Sequence, residues 1–99
     1  MVGAPYTAFK RAQGTIARDY VRQLSPKGIR INVIVPGMIR VDSIPIKEDD
    51  LPGYLAMIPL GRAGVPQDIA NTTVFLSCAL SKFTAGAVVF MDGGMSTSL

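Results

Sequence analysis

The sequence predicts an α/β fold built around a parallel β-sheet. Segments with a helical repeat alternate with strand-like runs in the order helix, strand, loop, helix, strand, and this alternation is typical of parallel sheets. Both strand-like runs are almost continuously apolar, as expected where helices cover both faces of a sheet. With 99 residues, of which 48% are hydrophobic and 17% charged, the chain has the composition of one small globular domain at most.

The first predicted element is an amphipathic helix over residues 6–24. At about 100° per residue, its apolar side chains collect on one arc: Tyr6, Phe9, Ile16, Ala17, Tyr20, Val21 and Leu24. Arg11, Arg18 and Arg22 lie together on the opposite side, which is the expected solvent face. Pro26 cannot continue a helix, so the helix should end just before it.

A strand and a long irregular stretch follow this helix. Residues 28–36 are rich in β-branched side chains and end at a Pro-Gly turn, which predicts a strand. Residues 38–65 contain three prolines, three glycines and an acidic cluster. This composition predicts a loop, with at most a short helix around Asp50–Met57.

A second helix and a second strand complete the pattern. Pro66 suits the first turn of a helix because it lacks a backbone donor, and the acidic Asp68 in that turn complements the helix dipole. The helix should cover residues 66–79, and the apolar residues 84–91 should form the second strand. Two strands and two helices cannot cover both faces of a parallel sheet. The rest of the fold is therefore missing from this sequence or comes from another chain.

The composition excludes several kinds of site. The sequence has one cysteine and no histidine. This rules out an internal disulfide framework and a Ser–His–Asp or Cys–His nucleophile, and no metal site is expected. No apolar run reaches the roughly 18 residues that a membrane span needs, and the N-terminus has no signal-peptide pattern. We therefore expect no membrane partner and a cytoplasmic location.

The net charge of +3 is unevenly distributed along the chain. Residues 1–30 carry six basic side chains and one acidic side chain, whereas the remaining residues carry four basic and six acidic ones. A basic segment raises the question of a nucleic-acid or anionic partner. The arginines of the first helix are accompanied by no nucleic-acid-binding motif and no aromatic platform. A solvated helix face is the preferred interpretation, and no nucleic-acid partner is expected.

Tyr6 and Lys10 are the residues best suited to chemistry. They are four residues apart, so they stack on one side of the predicted helix. Lys10 falls within the apolar arc, where an unpaired ammonium group is costly unless its stem extends past the edge of the core. A free phenol loses its proton only well above neutral pH, and a neighbouring ammonium group favours the phenolate. Such a pair could exchange a proton with an alcohol or a ketone.

The pair is the first of several motifs that resemble one protein family. The segment Tyr6-Thr-Ala-Phe-Lys10 is similar to the Tyr-x-x-x-Lys motif of the short-chain dehydrogenases/reductases. Further stretches resemble later segments of that family in the same order: Ser25–Asn32, Val35–Ile39, Ile58–Arg62, Gly64–Ala70 and Gly86–Gly94. Several motifs in the right order are far more specific than one, and the resemblance covers nearly the whole chain.

The resemblance implies NAD(P)-dependent hydride transfer between a small-molecule alcohol and the corresponding carbonyl compound. By this resemblance, Tyr6 would donate or accept the substrate proton. Lys10 would bind the hydroxyls of the nicotinamide ribose and lower the pKa of the Tyr6 phenol. The backbone of Ile39 would contact the nicotinamide carboxamide, and Pro36 and Gly37 would shape the turn that brings this backbone close. The cofactor is NAD or NADP.

The resemblance also implies that residues 1–99 are the C-terminal part of a single NAD(P)-binding, Rossmann-like domain with a doubly wound parallel sheet. Residues 38–65 would form the lid over the substrate. The glycine-rich fingerprint that seats the pyrophosphate and the family's catalytic serine do not occur in this sequence. We therefore expect the isolated chain to be inactive.

The resemblance further implies a dimer or tetramer in the complete protein, assembled through the helix over residues 6–24 and the last strand. An alternative interpretation is a truncated, non-catalytic module that pairs with an intact relative. The incompletely covered strands favour this alternative. Val41 stands where the family often has a threonine that binds the cofactor, so one cofactor contact is not expected here.

Overall fold

The computed structural model describes residues 4–98, and within this range it describes all side chains except those of residues 4, 6, 7, 9, 10 and 98. The described backbone contains three α-helices and two β-strands, in the order α1 (Ala4–Leu24), β1 (Val33–Pro36), α2 (Leu51–Ala56), α3 (Pro66–Ser77) and β2 (Val88–Met91). Short 3-10 turns follow α1, α3 and β2 at Ser25–Lys27, Ala79–Ser81 and Met95–Ser98.

The two strands lie side by side and run parallel. Val33 is opposite Val88, and Pro36 is opposite Met91 at the other end of the pairing. Parallel strands need a long crossover connection, and here the connection contains α2 and α3. The predicted parallel α/β class is confirmed.

Both strands are shorter than the sequence predicts, because a side chain interrupts the ladder before the regular pairing begins. The side-chain amide of Asn32 donates to the carbonyl oxygen of Thr84 at 3.1 Å and accepts from the N–H of Ala87 at 3.0 Å. Backbone hydrogen bonds from Gly86 to Ile31 and from Val33 to Ala87 join the same segments, so the Asn32 side chain is inserted into an irregular start of the pairing. The strands begin at residues 33 and 88 rather than at 28 and 84.

One helix packs against each face of this small sheet and leaves both faces partly exposed. On one face, α1 packs close to β2, where a β-carbon at Gly14 would lie 3.4 Å from Cγ2 of Val88. Val33, the partner of Val88, points to the same face. Because side chains of a strand point to alternate faces, the next residue, Ile34, points to the other face. There Ile34 lines a groove together with Leu76 of α3. The layers are helix, sheet and helix.

The helix α3 ends at Ser77, two residues before the predicted end. Cys78 adopts an extended conformation. The guanidinium of Arg30 donates to the carbonyl oxygens of Leu76 (3.0 Å) and Cys78 (3.4 Å), and also to that of Thr84 (3.1 Å). These bonds satisfy carbonyl groups that the end of a helix leaves without a partner. A side chain that precedes β1 therefore bonds to the end of α3.

The described part of the chain has a very small core. Among the side chains that the structure describes, Ala17 and Ile58 are the apolar ones that are buried. Several large apolar side chains are exposed instead, including Val74, Leu80, Phe83 and Phe90. Folded monomers rarely leave this much apolar surface open to water. None of the described helices is both long and apolar enough to cross a membrane.

Candidate functional site

A cleft opens where the carboxyl ends of the two parallel strands meet. In open α/β sheets, ligands bind outside this edge. The cleft has a volume of about 570 Å³. The segments that follow β1 and β2 form its walls with the loop before α3, and its lining includes Met38, Ile39, Leu60, Arg62, Phe90 and Asp92.

The segments that leave the two strands touch at Gly37. Its N–H donates to the carbonyl oxygen of Met91 at 2.9 Å, which continues the pairing one residue beyond β1. A β-carbon at Gly37 would lie 2.6 Å from Cα of Asp92 and closer still to its Cβ. Every residue with a side chain would force the two backbones apart here. Glycine is therefore required at this position for the close approach.

Two residues further on, Ile39 forms an isolated parallel bridge with Gly64. The N–H of Gly64 donates to the carbonyl oxygen of Met38 at 2.8 Å, and the N–H of Arg40 donates to the carbonyl oxygen of Gly64 at 2.8 Å. In a parallel bridge of this kind the amide groups of the central residue point away from the partner. Within the described part of the chain, the N–H and C=O of Ile39 have no hydrogen-bond partner. Ile39, which lines the cleft, thus carries one open donor and one open acceptor.

The turn that follows β2 is held by the carboxylate of Asp92. One oxygen accepts from the N–H of Gly94 at 2.9 Å, and the other accepts from the N–H of Ser96 at 3.0 Å. Hydrogen bonds from the Ser96 hydroxyl and N–H, together with that from Gly94, hold the pKa of Asp92 below its usual range. The carbonyl oxygen of the intervening Gly93 accepts from the N–H of Leu60 at 3.0 Å, which fixes the end of the long loop beside the cleft.

An ion pair at the mouth of the cleft holds the loop before α3. The guanidinium of Arg62 donates to both carboxylate oxygens of Asp68, at 2.9 and 3.3 Å. The same carboxylate accepts from the N–H of Val65 at 2.8 Å, which caps the first turn of α3. The Arg62 hydrogen bond, with that from Val65, lowers the pKa of Asp68, and the carboxylate raises the pKa of Arg62.

The direction of α1 relative to β2 places the backbone of Tyr6 near this same edge. Gly14 of α1 lies beside Val88, whereas Val21 lies beside Gly86, so α1 runs antiparallel to β2. A helix rises about 1.5 Å per residue and a strand about 3.3 Å. Eight residues before Gly14, the backbone of Tyr6 is therefore about level with the end of β2.

The structure describes three of the five sequence-predicted site residues in full and only the backbone of the other two. Pro36, Gly37 and Ile39 follow one another out of the end of β1, with Pro36 exposed and the other two half-buried. Tyr6 and Lys10 lie one turn apart on the backbone of α1, and their side chains lie outside the described residues. In the part of the chain that the structure describes, no group of His, Cys, Asp or Glu side chains could hold a metal ion.

Sequence reasoning missed three contributors to the cleft. It interpreted Asp68 only as a charge in the first turn of a helix, and it included Arg62 and Asp92 only within family-like motifs. The only signal of the Asp68 cap was its position three residues after Val65, at the start of a helix. Nothing in the sequence pattern predicted that Arg62 would bind both oxygens of Asp68, because that contact depends on how the intervening loop folds.

Comparison with known proteins covers almost the whole chain. Residues 2–96 match the family model described as Enoyl-(Acyl carrier protein) reductase. The chain is 33% identical over 92 residues to the 3-oxoacyl-[acyl-carrier-protein] reductase FabG of Chlamydia pneumoniae, and the match covers 92% of this chain and 37% of that protein. The chain therefore spans well under half the length of this relative.

Solved structures agree with the family match. The structure of 4-hydroxyisoleucine dehydrogenase complexed with NADH has a TM-score of 0.87 and 26% identity, over 95% of this chain and 40% of that one. A candidate 2-deoxy-D-gluconate 3-dehydrogenase from Agrobacterium tumefaciens, with bound NADP, has a TM-score of 0.83 and 33% identity, over 93% of this chain and 39% of that one. The predicted Rossmann-like class is confirmed, and the chain belongs to the short-chain dehydrogenase/reductase family.

Proposed function

We propose that this chain supplies part of the active site of an NAD(P)-dependent oxidoreductase that interconverts a small-molecule alcohol and its carbonyl compound. The observation that carries the proposal is the backbone amide of Ile39, a residue that lines the cleft at the carboxyl edge of the sheet and whose N–H and C=O have no partner among the described residues. The relatives solved with NADH and NADP support the same cofactor class for the complete protein.

The backbone of Ile39 fits the nicotinamide carboxamide chemically. A carboxamide carries one carbonyl acceptor and an amino donor on the same carbon. Ile39 offers an N–H and a C=O that have no partner among the described residues. The Ile39 N–H would donate to the carboxamide oxygen, and the Ile39 C=O would accept from the amino group. These two bonds would fix which face of the ring is turned towards the substrate.

Tyr6 and Lys10 would handle the proton in this reaction. When bound, the nicotinamide supplies or accepts the hydride. The phenol of Tyr6 donates a proton to the substrate oxygen during reduction and takes it back during oxidation. The ammonium of Lys10 stabilises the phenolate that forms and binds the hydroxyls of the nicotinamide ribose. The placement of Tyr6 and Lys10 is supported by the antiparallel direction of α1 relative to β2, which puts the first turns of α1 at the same edge of the sheet as the cleft.

Residues 38–65 would form the substrate lid. The segment is exposed over most of its length and contains α2, and its ends are held at the cleft by the Ile39–Gly64 bridge and the Leu60–Gly93 hydrogen bond. Loops that are anchored at both ends and free between them can close over a substrate and exclude water. The residues between the anchors would therefore select the substrate.

The experiment that tests this function is Tyr6→Phe in the complete protein that carries this chain. The substitution removes the proton donor and keeps the ring, so we expect NAD(P)H-dependent carbonyl reduction to fall by about 100-fold or more. Tyr20→Phe is the matched control, because Tyr20 lies on the same helix and half of its surface is exposed. Full activity of Tyr6→Phe would refute the proton-transfer role.

The 99-residue chain assayed by itself should show little or no turnover. It spans 37% of the length of the chlamydial relative, and the sequence has no glycine-rich turn to hold the pyrophosphate. The assay is carbonyl reduction with NADH and with NADPH, measured beside an intact relative as positive control. Robust reduction by the chain alone would overturn this expectation.

The exposed apolar surface favours a second candidate function, a non-catalytic module that pairs with an intact relative. Leu80 is 82% exposed, and the side chain of Phe83 is fully exposed. Co-expression with an intact short-chain reductase should then yield a mixed oligomer that co-purifies and keeps a defined stoichiometry. A soluble monomer with a single cooperative unfolding transition would count against this candidate.

A further inference from the structure

The contact between Arg62 and Asp68 is unusually well bonded for a pair near the surface. Within the described residues the other ion pair joins Arg22 to Asp19 by one contact of 3.1 Å. In the pair at the cleft, by contrast, the carboxylate of Asp68 accepts three hydrogen bonds, two from Arg62 and one from the N–H of Val65. Arg62 also donates to the carbonyl oxygen of Ala63 at 3.1 Å. Both ends of the loop over residues 62–65 are thus hydrogen-bonded to the carboxylate of Asp68.

This loop carries Gly64, whose backbone holds the segment that presents Ile39. Both polar groups of Gly64 are used, one by Met38 and the other by Arg40, each at 2.8 Å. The approach is also sterically close, because a β-carbon at Gly64 would lie 2.7 Å from Cδ1 of Ile39. A displacement of this loop would therefore weaken both hydrogen bonds of the bridge and move Ile39.

We propose that the Arg62–Asp68 pair is a positioning element for nicotinamide recognition, which holds Gly64 in place and thereby sets the direction of the Ile39 N–H and C=O. The inference rests on the proposed function, since it assumes that the Ile39 amide contacts the carboxamide. It assigns Arg62 and Asp68 no contact with the cofactor. Their action passes through Gly64.

The cap on α3 must be separated from the ion pair in any test. Asp68→Ala would remove both, because the carboxylate also accepts from Val65. Arg62→Met removes the ion pair and leaves the cap intact, so it is the informative variant. Arg62→Lys keeps the charge but cannot donate to both oxygens in the fixed geometry of a guanidinium, and it should restore the function only in part. Arg22→Met is the matched control, because it breaks the exposed pair on α1.

The first measurement is amide hydrogen exchange by NMR on the 99-residue chain. We expect Arg62→Met to speed exchange at the N–H groups of Gly64 and Arg40 by about fivefold or more. The N–H groups of Val33 and Gly37, which belong to the sheet pairing, should keep the rate of the parent. Equal acceleration at all four positions would mean that the pair only stabilises the fold, and the proposal would be wrong.

The second measurement is the dissociation constant of the complete protein for two cofactors, by calorimetry. One is the natural cofactor, and the other is its 3-acetylpyridine analogue, which keeps the carbonyl acceptor and lacks the amino donor. The parent should bind the natural cofactor about tenfold more tightly than the analogue, as expected for one well-oriented hydrogen bond. Arg62→Met should narrow this preference, Arg62→Lys should recover part of it, and Arg22→Met should leave it unchanged.

The outcomes separate the two proposals. If the parent binds neither cofactor, the proposed function fails, and the role of the pair in nicotinamide recognition fails with it. If the parent prefers the natural cofactor and Arg62→Met has the same preference, the proposed function stands and the positioning role is wrong. A merely unstable variant would contain less binding-competent protein, which lowers the calorimetric stoichiometry but leaves the ratio of the two constants unchanged.

Discussion

The backbones of Gly37 and Asp92 meet with no room for a side chain between them, since a β-carbon at Gly37 would lie 2.6 Å from Cα of Asp92. This contact joins the segments that leave the two parallel strands. It also sets the starting point of the chain that leads to Ile39. The geometry of the candidate site therefore depends on one glycine that has no functional group of its own.

Gly37→Ala should destabilise the chain, because the added methyl group collides with backbone and Cβ atoms that cannot rotate away. We expect the free energy of unfolding to fall by about 1–3 kcal/mol, measured by urea denaturation. Gly53→Ala is the control, since no heavy atom lies within 4 Å of its added carbon. Gly53 lies inside α2, where alanine is the better helix former, so this variant should be no less stable than the parent. Equal effects of the two substitutions would contradict the steric argument.

Arg30→Met should destabilise the junction between β1, α3 and β2. The substitution keeps an apolar stem of similar length but removes the Arg30 hydrogen bond to the carbonyl oxygen of Leu76. It also removes one of several hydrogen bonds to those of Cys78 and Thr84, which keep Ser81 and Asn32 as donors. We expect a loss of about 1.5–3 kcal/mol in the free energy of unfolding. Arg11→Met, at an exposed position on α1, should have a much smaller effect. The prediction fails if the two arginine variants lose the same stability.

The free energy of unfolding should fall in acid, because the carboxylates of Asp68 and Asp92 become protonated. Hydrogen bonds from Ser96 lower the pKa of Asp92, and the hydrogen bond from Arg62 lowers that of Asp68. The folded chain thus binds these protons less readily than the unfolded chain does. Above the pKa of these carboxyls in the unfolded chain, about 4, this stabilisation is fully present. It is lost as the pH falls from there through the lower pKa values of the folded chain.

The check is urea denaturation of the parent and of Asp92→Asn between pH 7 and pH 3. The variant should be less stable than the parent at pH 7, and the difference should shrink as the pH falls. Asp49→Asn is the control, because the exposed carboxylate of Asp49 accepts no hydrogen bond among the described residues. A constant difference between parent and Asp92→Asn over this range would contradict the assignment.

Leu80→Gln should change association more than stability. The Leu80 side chain is 82% exposed, so little apolar burial is lost when it becomes polar. We expect an unfolding free energy within about 0.5 kcal/mol of the parent and weaker self-association by sedimentation equilibrium. Ile58→Ala, at a position that is 4% exposed, should instead lose about 2–5 kcal/mol. A large loss of stability in Leu80→Gln would show that this residue is already covered in solution.

Local patterns in the sequence predicted the architecture well. The helical repeat after Tyr6 and the proline at position 26 predicted α1, which ends at Leu24 as expected and begins two residues earlier than expected. The alternation of helices and apolar runs predicted the parallel pairing. These features could be predicted because repeat, proline and glycine signals act within a few residues of one another.

Predictions were weakest where distant side chains decide the outcome. The strands begin later than their apolar runs because Asn32 bonds to Thr84 and Ala87, more than fifty residues away. Arg30 likewise donates to carbonyl oxygens at the end of α3, more than forty residues away. No local preference of these segments predicts such contacts, since they exist only once the two halves of the chain are packed together.

The sequence by itself determined which groups are available at the candidate site: the Tyr6–Lys10 spacing, the Pro-Gly turn after β1 and the family to which these motifs belong. The tertiary structure decided how the groups are directed. Among the described residues, the bridge between Ile39 and Gly64 leaves the N–H and C=O of Ile39 without a partner beside the cleft, and the Arg62–Asp68 pair bonds the loop that carries Gly64. The physical reason is that every residue except proline carries an amide donor and an acceptor, and only the packing of the chain decides which of them, such as those of Ile39 among the described residues, stay unbonded at a ligand-binding edge.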